Sequence, residues 1–436
     1  MRSLYVAVHL LVKLLQFGLR KLKKKMMHRP FAKKPIASLP ARHVRTGLAC
    51  ALGLLFSQSA FADLSDTIHP FIQSSISHDD NLLRLPDGDN GALGRSDTYK
   101  SVDGGFTLDR TYGQQVITGR FDWSRVTFDR YTTLNYTSKN GDIALNWHLL
   151  SHLQGNVGAS YMESLASFSD FHSDQRNLRI QRKAFADTTW QFHPSWQARA
   201  GFKREKYEYD LDIQRFNNRT DDTSELGVDY LAVSGSRVGL QARHIKGTYP
   251  DSQVFNGIRV DNDYGQDELK ANVYWIVSGQ TRVQFLGGWE RRTHPVQTVR
   301  DDSGTNGRLI VFWTPTGKLK FTGSAWREFA AYEGGIVASS LNKGASLLGT
   351  WTFSDKVSAN ASLRNEKRDF STPGVVLLEG QKDQTRNTTL GLTYAPVQKI
   401  QLTVNAFRET RSGTQSSFFS TGYKAKGVSF NGTVQF

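Results

Sequence analysis

Histidine and serine side chains are the first candidates for catalysis, because together they can act as general base and nucleophile. His148 and Ser151 lie three residues apart, and His244 lies on a distant segment. These three residues define one hypothesis, a barrel enzyme that acts on lipid or polysaccharide. The chain lacks the H-E-x-x-H, G-x-S-x-G, P-loop and dinucleotide-binding motifs. We therefore predict a protein that is not an enzyme, with no cofactor and no metal site.

Acidic residues cluster in several segments rich in turn-forming residues, namely 79–80, 87–89, 221–222, 261–263 and 301–302. Such clusters could bind Ca²⁺ or bridge lipopolysaccharide through divalent cations. None has the spacing of a defined calcium loop, and solvated turns are the default interpretation.

A larger set of charged and aromatic residues occupies alternate positions in segments whose other positions are apolar. Mixed charges of this kind suit a hydrated lumen, and aromatic rings among them can pack against the CH faces of sugars. The same charges could instead form ion pairs that stiffen a wall. The lumen-lining candidates are Arg199, Lys203, Glu205, Arg243, Glu290, Arg292, Lys320, Trp326, Arg364, Glu366, Arg368, Phe407, Glu409 and Arg411, with Lys270 and Tyr274 on the same parity.

The alternation of apolar and polar residues predicts the elements that carry these side chains. It is sustained through 319–325, 357–368, 399–406 and 428–436, and a period of two indicates β-strands rather than helices. No stretch after Ala62 reaches the roughly 18–20 apolar residues of a membrane helix, and the mean hydropathy is −0.46. Strands that face lipid on one side and water on the other average out as polar, which predicts a transmembrane β-barrel.

Turn signals divide the chain into hairpins with alternately short and long connections. Longer links rich in Asp, Asn, Gly and Ser include 79–95, 250–262, 295–305 and 371–383. Eight short turns and nine long links predict an all-β, up-and-down antiparallel barrel of about 18 strands, with 16 as the alternative, and both termini on the short-turn side. The short turns lie near 112–113, 150–151, 193–194, 234–235, 278–279, 315–316, 354–355 and 396–397.

A large aromatic residue precedes most of the short turns, on or next to the lipid-facing parity. Trp and Tyr are favoured at the headgroup level, so this recurrence predicts an aromatic girdle. A soluble sandwich would not repeat its aromatics at one depth in every hairpin. Phe436 ends the last alternating strand and is typical of a barrel-assembly signal. The girdle candidates are Trp147, Trp190, Tyr230, Trp275, Trp313, Trp351 and Tyr394.

The N-terminal residues 1–62 differ from the rest of the chain. They hold 12 of the 55 basic residues and no acidic residue, so the net charge of +15 belongs mostly to this segment. A basic stretch, the apolar run 47–56 and the small residues Ala60 and Ala62 predict a signal peptide cleaved after Ala62. Its length suggests that translation starts at Met26 or Met27, the alternative being a helix on the membrane surface. Residues 63–436 would form the barrel, and no nucleic-acid partner is predicted.

Several stretches resemble the EpsL-type outer-membrane proteins of exopolysaccharide operons, which are associated with exosortase systems. They are 78–85, 176–190 with 193–196, 235–240, 261–269, 307–309 and 313–317. The resemblance covers most of residues 63–436 and implies an outer-membrane barrel that takes part in polysaccharide biosynthesis or export. It implies no active-site residues, and the long N-terminal extension departs from the family pattern.

The sequence thus predicts a channel with a polar, mixed-charge lumen that exports an extracellular polysaccharide through the bacterial outer membrane. A general or sugar-selective uptake porin is the alternative with the same architecture. Expected partners are outer-membrane lipid and lipopolysaccharide, the barrel-assembly machinery, and the polysaccharide with periplasmic export components.

Overall fold

The structure, a computed structural model, describes residues 67–255, 258–296, 298–334, 337–370, 381–413 and 422–436. The predicted signal peptide lies outside the described residues. Eighteen strands of the described part form one continuous antiparallel sheet. No helix among the described residues is long and apolar enough to cross a membrane.

The strands are long, most having 12 to 16 residues, which exceeds the roughly 9–11 that a tilted strand needs to span the hydrocarbon. Their bounds are β1 (Ile68–Asp79), β2 (Asp97–Tyr112), β3 (Gln115–Phe128), β4 (Tyr136–Leu149), β5 (Leu153–Leu165), β6 (Leu178–His193), β7 (Trp196–Tyr209), β8 (Arg219–Leu231), β9 (Arg237–Thr248), β10 (Gln253–Phe255), β11 (Ile258–Val260), β12 (Tyr264–Ser278), β13 (Thr281–Thr293), β14 (Asp302–Thr316), β15 (Leu319–Gly334), β16 (Val337–Ser354), β17 (Val357–Asp369), β18 (Lys382–Val397), β19 (Ile400–Gly413) and β20 (Tyr423–Gln435).

The sheet closes on itself because its first and last strands pair. β1 pairs with β2 on one side and with β20 on the other, with Phe71 opposite Gln435 and Asp79 opposite Gly427. β9 pairs directly with β12, so the short hairpin β10–β11 stands outside the wall. Closure leaves no free strand edge, as a membrane wall requires. The prediction of an 18-strand antiparallel barrel is confirmed, and the 16-strand alternative is wrong.

The eight predicted short turns all join consecutive strands at one end of the barrel, which also holds both termini of the wall. The long links lie at the other end. One predicted link ends in the wrong place, because β14 already begins at Asp302 whereas 295–305 was expected to be a loop. Residues 302–305 are polar on both faces, so the alternation is lost although pairing continues. Most of the predicted link 371–383 lies outside the described residues.

Side chains alternate between the two faces of the wall as predicted. Outward positions carry exposed apolar residues, of which Leu226 is 65% exposed. Inward neighbours such as Asp229 are polar and covered. An apolar exterior around a polar interior reverses the arrangement of a water-soluble barrel, and it matches a wall in contact with lipid.

Candidate transport channel

All fourteen predicted lumen residues lie on the inward parity of their strands, opposite to the exposed apolar residues of the exterior. They differ in how much water they meet. Lys203, Lys320 and Arg364 are accessible, whereas Glu290, Arg292 and Arg411 are buried. Position on the inward face therefore does not by itself make a residue available to a solute.

Much of the inward charge is neutralised within the wall, as the ion-pair interpretation expected. Asp229 is fully buried and accepts hydrogen bonds from Arg199 Nε at 2.6 Å and from Gln197 Nε2 at 2.9 Å. Arg243 likewise pairs with Glu225 at 3.2 Å and with Glu268 at 3.4 Å. A buried carboxylate needs such partners because its desolvation is otherwise uncompensated.

A second ladder of buried polar residues crosses β12, β13 and β14. Lys270 Nζ lies 2.7 Å from Glu268, and Gln266 donates to Glu268 at 2.6 Å. Glu290 accepts hydrogen bonds from Gln266 at 3.3 Å and from Asn306. This part of the interior is a packed polar wall rather than open channel surface.

Trp326 faces inward but is only 6% exposed. Its ring lies over Gly344 on the neighbouring strand, since a Cβ at Gly344 would come within 2.3 Å of the ring. Arg364 covers the ring at 4.4 Å, and the indole N–H donates to Glu366 at 2.9 Å. The ring is thus occupied by protein contacts, which leaves little surface for stacking on a sugar.

Phe407 is placed in a similar way, against Gly427 directly opposite on β20. Arg84 approaches its ring at 5.7 Å. Tyr274, the third inward aromatic, is half-buried and has Arg237 over its ring at 5.4 Å. The three inward aromatic rings therefore make contacts with other protein residues.

The link between β1 and β2 folds against the inner side of the wall. Leu82, Leu83 and Leu85 are buried there, in a cluster completed by Val126, Phe128, Tyr131 and Leu134. Asn81 holds the link in place, since its side-chain amide donates hydrogen bonds to the carbonyl oxygens of Leu85 at 2.8 Å and Lys424 at 2.9 Å. An apolar cluster inside a polar barrel fills space that solvent would otherwise occupy.

Arg84 fixes the same link by charge. Its guanidinium lies 2.8 Å from Asp79 and 3.5 Å from Glu409. Burial lowers the pKa of Arg84, but the neighbouring carboxylates of Asp79 and Glu409 outweigh burial and raise it above its ordinary value. The side chain therefore stays cationic and tethered to the wall.

The link between β5 and β6, residues 166–177, crosses the interior. Asp170 lies 3.0 Å from Arg368 on β17 and 2.9 Å from Arg411 on β19, and both arginines also bind Asp383. Because β5 and β17 lie on different sides of the circular strand order, a contact between them requires the link to span the lumen. We call the cluster of Asp170, Arg368, Arg411 and Asp383 the latch.

Further contacts hold the crossing link in place. Tyr423 on β20 lies 3.2 Å from the hydroxyl of Ser169, and its own hydroxyl contacts Glu409 at 2.5 Å. His172 Nδ1 lies 3.0 Å from the carbonyl oxygen of Leu83. The crossing link and the β1–β2 link thus contact each other, and together they narrow the end of the barrel that carries the long links.

Sequence reasoning missed the latch residues Asp170 and Asp383 and the wall carboxylate Asp229. Inward parity on their strands could have found Asp229 and Asp383. Nothing in the local pattern of residues 166–177 indicates that Asp170 reaches the opposite wall.

The predicted girdle residues all lie near the short-turn end on the outward parity. Six are exposed, namely Trp190, Tyr230, Trp275, Trp313, Trp351 and Tyr394. Trp147 is half-buried because its ring lies over Gly155 on the next strand. The terminal residue Phe436 is exposed, and its backbone N–H donates to Pro70 at 2.9 Å.

The structure does not bring the three catalytic candidates together. His148 lies beside a short turn, with Nδ1 3.0 Å from the carbonyl oxygen of Gln114, and Ser151 is in that turn. His244 lies on the exterior near the opposite end and contacts Asp267 at 2.7 Å. Within the described ranges, no three His, Cys, Asp or Glu residues are grouped to hold a metal ion.

Comparison with known proteins gives similarity in structure only. No family model matches the chain, and no curated protein matches it. OccK2 (OpdF) of Pseudomonas aeruginosa is similar with a TM-score of 0.50 at 10% identity, over 85% of this chain and 98% of that one. OccK5 (OpdH) of the same organism has a TM-score of 0.46 at 13% identity, over 85% and 99%. The structure of P. aeruginosa OpdK with vanillate has a TM-score of 0.47 at 10% identity, and the match covers 85% of this chain and 99% of that one.

OccK2 shares the barrel fold with this chain. A closed 18-strand barrel with an apolar exterior and a polar, partly ion-paired interior is the architecture of a bacterial outer-membrane protein. The protein is therefore located in the bacterial outer membrane, with its short turns towards the periplasm and its long links outside.

Proposed function

We propose that the protein is a passive channel through which small polar solutes enter across the outer membrane. An 18-strand barrel is wide enough to enclose an aqueous lumen. The latch between Asp170 and the arginines Arg368 and Arg411 is the observation that carries the proposal. A link fixed across the lumen reduces its cross-section, and a reduced opening suits small solutes better than a polymer.

The accessible charges of the interior favour anionic solutes such as carboxylates. In the pair of Arg364 and Glu366, the arginine side chain is 48% exposed and the glutamate 18%. In the pair of Lys203 and Glu205, the values are 39% and 17%. Because the cation is the more exposed member of each pair, a solute in the lumen meets more positive than negative charge.

The test is electrical recording from the protein reconstituted in a planar bilayer under a potassium chloride gradient. The proposal expects stepwise conductance with a reversal potential that favours chloride, and a smaller chloride preference in Arg364→Gln. Leu363→Gln is the matched control, because it adds a polar group on the outward face of the same strand. Absence of conductance, or a cation preference, contradicts the proposal.

Polysaccharide export is the second candidate, and it rests on the sequence resemblance to EpsL-type proteins. It needs a lumen that opens for a polymer chain, so release of the latch would have to accompany export. Loss of secreted polysaccharide on gene deletion, restored by the intact gene, would support this role. Unchanged secretion would leave uptake as the sole candidate.

A further inference from the structure

Six basic residues that have no ion-pair partner among the described residues face outward on consecutive strands from β15 to β20, in the half of the barrel near the long links. Further along the strands towards the short turns, the outward face carries exposed apolar residues, for example Leu347 and Leu363, each four residues from a cation of the patch. Five of the six are exposed, and Arg327 is half-buried. We define this basic patch as Arg327, Lys343, Lys367, Arg386, Arg408 and Lys426.

Register places several of these cations directly opposite each other. Arg327 pairs with Lys343, which in turn pairs with Lys367 on the next strand, and Arg408 pairs with Lys426. Like charges at directly opposed positions destabilise a sheet. The arrangement is therefore unfavourable for the isolated wall, and an anion bound between the strands would relieve the repulsion.

Acidic residues in the described part of the wall do not neutralise the patch, since none lies within ion-pairing distance of its six members. The nearby carboxylates have other partners. Asp369 binds Lys382 at 3.4 Å, and Asp80 accepts the backbone N–H of Lys426 at 2.7 Å.

Another arc of the same exterior shows that outward charge can be balanced locally. There, Arg204 pairs with Asp222, and Glu208 binds both Lys206 and Arg182. Both arcs carry outward cations. In this second arc, each of the cations Arg204, Lys206 and Arg182 lies within ion-pairing distance of a carboxylate. The three cations of this arc are therefore balanced locally, whereas the six cations of the patch have no ion-pair partner among the described residues.

The patch also contains a concave surface that could hold a phosphate-sized group. A groove of about 550 Å³ is lined by Lys343, Lys367 and Lys382, together with Gln384 and Ser412. Two carboxylates also line it, and each has a cationic partner, since Asp369 binds Lys382 and Asp383 binds Arg411. Ammonium groups around a groove, with amide and hydroxyl donors beside them, are the partners that phosphate oxygens need.

The level of the patch fits the headgroups of the outer leaflet. Lys343 lies eight residues along β16 from the girdle residue Trp351, which corresponds to roughly 20 Å along the membrane normal for a tilted strand. The lipid-facing band of such barrels is about 25 Å tall. A lysine that extends towards water from this height reaches the headgroup boundary.

We propose that the basic patch binds the phosphate groups of a phosphorylated glycolipid in the outer leaflet. The unbalanced outward cations, their groove and their height above the girdle together define the site. The inference rests on the location in the membrane and is independent of the channel function. Loss of binding would leave conductance unchanged, and loss of conductance would leave binding unchanged.

The experiment compares three proteins that are folded in detergent and differ in charge. The patch variant carries Lys343→Gln, Lys367→Gln and Arg386→Gln. The control variant carries Arg125→Gln, Lys139→Gln and Arg291→Gln, three exposed outward cations on β3, β4 and β13. Both variants lose three positive charges, and neither replaces an apolar residue. Heat-modifiable migration on gels verifies that each barrel is folded.

Binding is measured by native mass spectrometry during titration with diphosphorylated lipid A, with fully dephosphorylated lipid A, and with inorganic phosphate alone. We expect the wild type to prefer the diphosphorylated form about a hundredfold, and the patch variant to bind it about a hundredfold more weakly. The control variant should stay within about threefold of the wild type, and binding should weaken as salt is added.

Three outcomes would overturn the proposal. The first is equal binding of phosphorylated and dephosphorylated lipid by the wild type. The second is an equal loss of affinity in the patch and control variants. The third is binding of inorganic phosphate as tight as that of lipid A, which would assign the patch to a free anion. A second patch variant, Arg408→Gln with Lys426→Gln, repeats the test if the first variant does not fold.

Discussion

Replacing Asp170 by alanine removes the carboxylate on which the latch depends. Its oxygen is shared by Arg368 and Arg411, and all of these side chains are largely covered. The crossing link would keep the hydrogen bond that Arg411 donates to the carbonyl oxygen of Ser169, and the contact between Ser169 and Tyr423 at 3.2 Å. The variant is therefore expected to release the link from β17 and to weaken its attachment to β19, while the barrel wall remains intact.

The expected free-energy cost of Asp170→Ala follows from the contacts that are lost and those that remain. Removing one member of a buried ion pair costs about 3–5 kcal/mol when the other charge is left alone. Here Arg368 and Arg411 both keep Asp383, at 2.8 Å and 2.6 Å. We therefore expect the smaller cost of about 2–3 kcal/mol, which shifts the equilibrium between latched and released link about 30- to 150-fold.

Single-channel recording measures this shift, because release of the link widens the lumen. Asp170→Ala should increase the mean conductance and the time spent in the larger conductance state. Asp174→Ala is the matched control, since this exposed aspartate lies on the same link and carries the same charge. If both variants conduct like the wild type, the link does not limit the lumen. If both rise equally, charge rather than the latch is responsible.

Three further predictions concern the wall and one link. Gly344→Val should displace the Trp326 ring and lower the free energy of unfolding by about 1–3 kcal/mol in urea titrations. Gly323→Ala is the control and should leave the free energy of unfolding unchanged, because a Cβ at Gly323 meets no atom within 4 Å. Asp229→Asn should cost about 3 kcal/mol in the same assay because Arg199 loses its buried counter-ion; an unchanged midpoint would contradict the role of the pair. Burial lowers the pKa of His294 to about 4, and Arg300 and Arg292 add to the effect, so its neutral form is favoured where the chain is folded. Stability from this residue is complete above pH 6.5 and is lost as pH falls towards 4, since a released histidine takes up a proton near pH 6.5. The backbone amide of His294 donates to Asp301 at 2.7 Å. Hydrogen–deuterium exchange of this amide should therefore be faster at pH 5 than at pH 7, once the pH dependence of the intrinsic exchange rate is subtracted. His294→Gln should remove this additional pH dependence.

The wall was predictable from sequence because lipid and water impose a period of two on every strand. Leu363 and Arg364, adjacent on β17, already show by type which face each occupies. The short turns were predictable for a related reason, since Gly113 and Gly235 adopt positive φ angles that few other residues tolerate.

The interior was less predictable because its contacts join residues far apart in the chain. Asp170 and Arg411 are 241 positions apart, and no local pattern links them. Burial of Trp326 and Phe407 depends on glycines that lie opposite them only in the folded register. Parity predicts the face of a residue, but it does not predict what covers that face.

Accessibility of single cysteines to a polar thiol reagent tests most directly whether the wall separates lipid from water. Cys50 is the sole cysteine of the chain, so residues 63–436 provide a background without thiols. In lipid vesicles, Ser362→Cys on the inward face of β17 should react with a membrane-impermeant maleimide, and Leu363→Cys on the outward face should not. Equal labelling of the two positions would contradict a membrane barrel with a hydrated interior.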